Sequence, residues 1–505
     1  MANKILSVAV IGLNVDLVEV EAEAVNGDLG SIIIVGLPDA AVSESKERVR
    51  TAIKNSDLNF PVRKIVINLA PADLKKHGPS YDLPIAVSIL SLKNNFKVDF
   101  TKTLFVGELS LDGVLRPING ALAIALKARE LGIKTLFLPA KNAAEAKLVD
   151  DLEIIPVPSL AKLFLHLKGV EKIKAQAKVD FNFCNKKTLF DMAHVCGQES
   201  VKRVLEIAAA GSHNILMFGP PGSGKTLMAK TMLSILPDFS LEEALEVTKI
   251  YSVAGELKNN DPLVLSRPFR APHHTSSSVS LVGGGSWPRP GEISLAHRGI
   301  LFLDEFAEFP RVVLENLRQP LEDGVINISR ALGRLKFPAK FILLASMNPC
   351  PCGYYKDRDR NCVCSEKQIA NYRRKISGPI LDRIDLHVEV PRLEFSKLNQ
   401  NSGGETSADI KLRVEAARAI QRQRFVGQPF LNNAEMNSQA VYRYCQIDVP
   451  SQRLMAQAME KMKLSVRSYF RILKLARTIA DLEGEENILL KHLAEALQYR
   501  PTMED

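Results

Sequence analysis

The side chains best able to do chemistry sit near the middle of the chain. Gly219, Pro220, Pro221, Gly222, Ser223, Gly224, Lys225 and Thr226 follow a short apolar run, Asn214 to Phe218, and precede a segment patterned as a helix, Leu227 to Leu236. Glycines at this spacing let backbone N–H groups turn towards one point, because no Cβ blocks the approach. The helix start adds the positive end of its dipole. A loop of this kind cradles phosphates. Lys225 is placed to set its ammonium against β- and γ-phosphates, and Thr226 to offer its hydroxyl to magnesium. Downstream, Gly299 to Leu303 reads as a buried strand ending in two carboxylates, Asp304 and Glu305. Beside a phosphate loop, Asp304 would hold magnesium, and Glu305 would orient and deprotonate an attacking water. A third apolar strand, Phe341 to Met347, ends in Asn348, which could hydrogen-bond the γ-phosphate or that water. Together these residues predict ATP and magnesium as ligands.

Four of the seven cysteines, Cys350, Cys352, Cys362 and Cys364, form two Cys-x-Cys pairs on one Gly- and Pro-containing segment. Four thiolates there could close a tetrahedron around a structural zinc with no position left for water. Free thiols or a redox pair are the alternative, since the spacing is tighter than Cys-x-x-Cys. His273 and His274 are adjacent. On a strand they would point opposite ways, which argues against a shared metal.

The elements that must position these groups follow from patterning. Nearly half the residues are apolar and about a quarter are charged, an ordinary globular composition. A chain of 505 residues is too long for one core. No apolar run approaches the roughly 18 residues that a membrane span needs. Ile5 to Leu13 could pass for a signal peptide, but it lacks a small-residue cleavage site and runs into the strand-like alternation of Val15 to Glu21. A cytoplasmic protein is expected. The net charge of +9 is compatible with a polyanion such as nucleic acid. Residues 1–168 mix strands, such as Ser31–Val35 and Lys64–Asn68, with helices at Ala41–Asn55 and Gly120–Leu131. A lysine-rich linker spans 169–188. Apolar strands alternate with helices over 189–398, the signature of a parallel sheet. Residues 399–505 begin with a polar break and continue as helices at Asp409–Arg424, Ser451–Lys461, Ser465–Asp481 and Lys491–Tyr499.

Further segments carry a resemblance. The phosphate loop, Pro268 to Thr275, Pro290 to His297 and Asn348 to Gly353 are similar to the ComM/YifB family of magnesium-chelatase-like AAA+ proteins, over nearly the whole chain. The resemblance implies an α/β chain: a Lon-peptidase-like α+β domain, an AAA+ parallel sheet and a C-terminal helical lid. It places Asn348 at the sensor-1 position. In Pro379 to Leu386 it makes Arg383 the finger that reaches a neighbouring subunit's ATP, with Arg373 and Arg374 in reserve. Arg467 becomes the sensor-2 arginine; Arg471, one turn on, is easily mistaken for it. The long stretch between Lys225 and Asp304 would hold an insert facing a ring's pore, with Trp287 stacking on bases and Arg289 on phosphates. A hairpin, Val325–Arg330 and Arg334–Phe337, would grip DNA through Arg330, Arg334 and Lys336. In the N-terminal domain, His77 to Ser80 and Gly107 to Lys134 resemble the Lon peptidase, but Leu122 stands where its lysine base belongs. Leucine cannot activate Ser80, so no protease is expected. The family implies a homo-hexameric motor on single-stranded and branched DNA, driving branch migration in natural transformation. Three rivals stand: a chelatase-like ATPase remodelling a protein partner, a Lon-like ATP-dependent protease, and a DNA-binding ATPase scaffold.

Overall fold

The computed structural model describes residues 4–28, 30–178, 190–257, 261–285, 287–330, 333–357, 359–392 and 404–500. Most of the expected linker, 179–188, and the polar break at 399–403 lie outside them. The chain forms two compact units: Met1–Asn182 with Leu241–Val264 and Ser286–Arg289, and Phe183–Ser240 with Leu265–Gly285 and Pro290–Asp505.

The first unit is built on a seven-stranded sheet of β1 (Lys4–Ile11), β2 (Asn14–Val25), β3 (Ile32–Val35), β4 (Lys64–Ala70), β5 (Thr103–Phe105), β6 (Thr135–Pro139) and β7 (Glu153–Val157), in the order β3-β4-β2-β1-β5-β6-β7. The apolar run at the N-terminus is therefore a sheet strand, paired antiparallel with β2. Alternation sets the layers: Ile65, Ile67 and Leu69 of β4 face one core with Val42, Val49 and Leu83, while Val8, Leu104 and Leu136 face another with Leu122. Leu122 lies fully buried on the helix Ala121–Glu130. The helix Leu241–Ala254 belongs to this unit, packing Leu245 and Val253 against the second core and meeting a buried carboxylate. Glu145 accepts from the Leu122 N–H at 2.7 Å and from the Ser252 hydroxyl.

The second unit holds a five-stranded, all-parallel sheet. Its strands are β8 (Ile215–Phe218), β9 (Phe269–Arg270), β10 (Ile300–Leu303), β11 (Ile342–Met347) and β12 (Leu386–Glu389), in the order β9-β10-β11-β8-β12. All residues of β10 and β11 are buried, as expected for strands covered on both faces. β8 lies where the chain order reverses, between β11 and β12. In parallel sheets that crevice, at the carboxyl ends, is where ligands bind. The C-terminal region adds Ser407–Arg424, Ser438–Tyr444, Val449–Lys461, Val466–Leu482 and Leu490–Gln498. Several starts differ from the sequence expectation by one or two residues. The reason is capping: Thr406, Asn437, Asp448 and Ser465 each accept a backbone N–H of the first turn.

His387 is buried on β12. Burial, and then the Arg500 guanidinium, push its pKa from 6.5 down to about 4. A base depressed on folding contributes stability that is present above its unfolded value and lost as pH falls through its folded value. The urea midpoint of the second unit should therefore drop between pH 6.5 and about 4. In His387→Leu the drop over that window should be shallower; equal slopes would exclude this histidine as a source.

Candidate nucleotide site

Three adjacent strands end at one place. β8 runs into the loop Gly219–Gly224, β10 into Asp304 and β11 into Asn348. The loop needs its glycines. Gly222 and Gly224 have φ of +77° and +90°, the left-handed region that side chains resist. A Cβ on Gly219 would meet the Val390 carbonyl oxygen at 2.2 Å. The Ser223 hydroxyl is buried without a partner among the described residues. Lys225 and Thr226 open the helix Lys225–Ile235. The Lys225 ammonium donates to the carbonyls of Gly219 at 2.7 Å and Pro220 at 2.9 Å, and lies 3.4 Å from Asn348 Oδ1. Burial pulls its pKa down, against the pull of Asp304.

Asp304 is shared. Its Oδ2 accepts from the Thr226 hydroxyl at 2.9 Å. Its Oδ1 accepts from the Ser346 hydroxyl and, at 3.0 Å, from the Glu305 N–H. A hydroxyl and a carboxylate this close, beside a glycine cradle with an unpaired hydroxyl, form a donor set that fits a magnesium-bound triphosphate. Glu305 has φ of +53°, a costly conformation for a side-chain-bearing residue and one typical of active sites.

The two histidines differ from their expectation. β9 ends at Arg270, so they lie on no strand. Their rings sit side by side with centroids 4.1 Å apart, and His274 Nδ1 is 3.3 Å from Glu305 Oε2. Sequence pattern gave no sign of this, because it assumed the backbone alternation of a strand.

The two arginines expected to act on nucleotide meet one carboxylate. Glu322 accepts from both Arg383 and Arg467. Arg383 also donates to the Pro379 carbonyl at 2.6 Å; neither Asp382 nor Asp385 is its partner. Arg471 instead holds Asp385 at 2.6 Å. Burial alone would raise the Asp385 carboxyl, but Arg471 and His213 hold it well below the usual range. Of the reserve candidates, Arg373 lies over the Tyr355 ring and Arg374 is exposed.

The cysteines converge. Cys350 Sγ is 3.4 Å from Cys352 Sγ and 3.7 Å from Cys362 Sγ, Cys352 and Cys362 are 3.6 Å apart, and all four sulfurs, Cys364 included, lie within 4.8 Å. These separations exceed the roughly 2.0 Å of a disulfide. They approach the edge, about 3.8 Å, of a tetrahedron with zinc–sulfur bonds of about 2.3 Å. Backbone N–H groups of Tyr354 and Val363 favour the thiolate of Cys352. The donor set fits zinc.

The residues expected to touch DNA are not all in one unit. In the first, the Trp287 ring stacks on His77, centroids 4.2 Å apart, and Arg289 is exposed. In the second, Val325–Arg330 pairs antiparallel with Gly333–Pro338, and Lys336 is exposed. The side chains of Arg330 and Arg334 lie outside the described residues.

Comparisons with known proteins agree along the chain. The family described as "Magnesium chelatase, subunit ChlI" matches residues 191–398, "Subunit ChlI of Mg-chelatase" matches 18–142, and its C-terminal part matches 404–500. The chain is 44% identical to "Competence protein ComM" of Haemophilus influenzae, covering 98% of this chain and 97% of the relative. It is 40% identical to YifB of Escherichia coli, covering 97% and 96%. Over 152 residues, 29% of this chain and 18% of the relative, it is 29% identical to the Lon protease of Methanosphaera stadtmanae.

Gly353, at φ +86°, follows the first cysteine pair and rests on the phosphate loop: a Cβ there would meet Pro221 Cδ at 2.6 Å. Gly353→Ala should weaken binding of a fluorescent ADP by about tenfold, an overpacking cost of order 1–3 kcal/mol. Unchanged affinity would show that the cysteine loop does not bear on the nucleotide site.

Proposed function

The chain belongs to the ComM/YifB family of magnesium-chelatase-like AAA+ ATPases, and from that premise we propose that it is a hexameric, ATP-driven DNA motor. In this reading it is a cytoplasmic helicase that promotes branch migration during recombination in natural transformation, acting on single-stranded and branched DNA. The observation that carries it is the meeting of Lys225, Thr226, Asp304 and Asn348 at the ends of three neighbouring parallel strands. The relative named as a competence protein supports the DNA role, as do the net charge of +9 and the exposed Lys336 on its hairpin. In this reading a Lon-like domain without the catalytic lysine spans 1–168, a linker 169–188, the AAA+ core 189–398 and a helical lid 399–505, with Leu241–Val264 and Ser286–Arg289 of the core range belonging to the first compact unit.

Magnesium-bound ATP supplies the anhydride bond whose cleavage drives the motor. Gly219, Pro220, Pro221, Gly222, Ser223 and Gly224 wrap the phosphates, and Lys225 neutralises them. Thr226 and Asp304 hold the metal. Glu305 orients and deprotonates water, and Asn348 fixes its position. Arg467 binds the γ-phosphate, and Arg383 enters the site of a neighbouring subunit. Trp287, Arg289, Arg330, Arg334 and Lys336 hold DNA. Cys350, Cys352, Cys362 and Cys364 bind a structural zinc. The matched chelatase models favour one second reading, an ATPase that remodels a protein partner.

Lys225→Ala should lower ATP turnover by at least about a hundredfold through lost phosphate binding, and Glu305→Gln by a similar factor with binding retained. Both should stop strand movement on a branched DNA substrate. Wild-type protein that hydrolyses ATP without moving strands would favour the second reading. Elemental analysis should find about one zinc per chain, and far less in Cys352→Ser.

A further inference from the structure

Glu322 matches no motif, yet it takes two cations that the reading above needs elsewhere. Its carboxylate accepts from the guanidiniums of both Arg383 and Arg467. Burial nudges the Glu322 carboxyl upward, and the two guanidiniums outweigh this and hold it below its ordinary value. Arg383 is 8% exposed, and its Nε is buried with no partner among the described residues. Its bonding within the chain is therefore incomplete. Arg467 is 44% exposed, so it can leave at little desolvation cost.

What Glu322 is attached to matters as much. It lies on the helix Arg318–Asp323, and only Asp323 and Gly324 separate it from the hairpin that begins at Val325. That junction has no slack. The Gly324 N–H donates to the Pro320 carbonyl at 3.0 Å, and its own carbonyl accepts from Ala339 N–H at 2.8 Å. Gly324 has φ of +64°, and a Cβ on it would meet Lys340 Cγ at 2.9 Å. A shift of the Glu322 helix is thus passed to both strands of the hairpin at once.

We propose that Glu322 is the positioning residue that links nucleotide to DNA: it holds Arg383 and Arg467 while no phosphate competes for them, and its release lets the hairpin Val325–Pro338 move. The proposal rests on the ATPase reading and deepens it. Phosphate is the competing anion with the right geometry, because a guanidinium forks onto phosphate oxygens as readily as onto a carboxylate. One carboxylate serving both arginines would make their departures cooperative, since loss of one partner weakens the hold on the helix.

The test is hydrogen exchange across residues 318–338 in the full-length protein, with and without a non-hydrolysable ATP analogue. In wild type, the analogue should speed exchange in this segment. Glu322→Gln should already exchange about two- to fivefold faster without nucleotide, the range one half-exposed ion pair supports, and the analogue should add nothing. Should Glu322→Gln loosen the whole protein, Arg467→Gln, which removes one partner and leaves the carboxylate and Arg383 in place, should give the same local change. The proposal is overturned if the wild-type segment ignores the analogue, or if the substituted protein exchanges as wild type does. Exchange without nucleotide needs neither hydrolysis nor DNA, so the clamp can fail while the ATPase stands. Turnover lost in Lys225→Ala tests the ATPase without touching Glu322.

Discussion

Asp304 sits where the parallel sheet turns into a site, and the geometry around it depends on how its two oxygens are shared. Oδ2 takes the hydroxyl of Thr226 from the phosphate-loop helix, while Oδ1 takes Ser346 of β11 and the N–H of Glu305. A carboxylate bonded on both oxygens cannot rotate freely, so the carboxyl ends of β10 and β11 are held against the N-terminus of the helix after β8. The same bonds fix the start of the turn that puts Glu305 in its left-handed conformation. Glu305 projects from this strained turn towards His274 rather than continuing β10. Strain of this kind persists only where surrounding contacts over-determine it, and Asp304 supplies the nearest of them.

Arginine adds a second constraint. A guanidinium does not lose its proton in proteins, so every buried or half-buried arginine must find an anion or carbonyl. This separates two residues that look alike in sequence. Arg471 has a buried partner, Asp385, which also accepts the Asn214 N–H at 3.1 Å. It fastens the helix Val466–Leu482 to the start of β8 and serves structure. Arg467, one turn earlier, pairs with the exposed Glu322. An exposed pair is worth little, about 0–1 kcal/mol, and so suits an arginine that must change partners. Burial of the partner therefore separates Arg471, a fastener, from Arg467, whose exposed pair is the one the proposed clamp would release.

Much of this was legible in the residues. The phosphate loop follows from glycine spacing between a strand and a helix. Four of the C-terminal helices follow from apolar period, and their offsets of a residue or two follow from caps that pattern alone does not weigh, whereas the short helix Ser438–Tyr444 was not read. The hairpin is visible in its alternation, and the strand pair Val325–Arg330 and Gly333–Pro338 matches it. What was not legible are pairings set by the fold. Glu322 lies 61 residues from Arg383 in the chain, and nothing local marks it. The approach of His274 to Glu305 was not visible either, because the chain leaves the strand after Arg270 and alternation no longer says where its side chains lie. Trp287 has His77 as its neighbour although the two are far apart in sequence. Leu241–Val264 belongs to the first unit, with Leu245 and Val253 against its core and Ser252 on the buried Glu145, and no period in either segment announces it.

The cysteine loop shows how a segment without a core can still be ordered. Residues 349–364 contain no helix or strand among those described, and Val363 is largely exposed. Such a stretch cannot offset its conformational entropy by burying apolar surface. What converges instead is sulfur. Four ligands closing on zinc would supply the missing free energy as binding energy, because metal affinity at a site absent from the unfolded chain is folding energy. That order would not stay local. Asn348 lies one residue before the loop, and Gly353 within it abuts Pro221. Zinc so placed would fix the backbone on both sides of the phosphate site without touching nucleotide, and its loss would be felt first at Asn348 and Pro221.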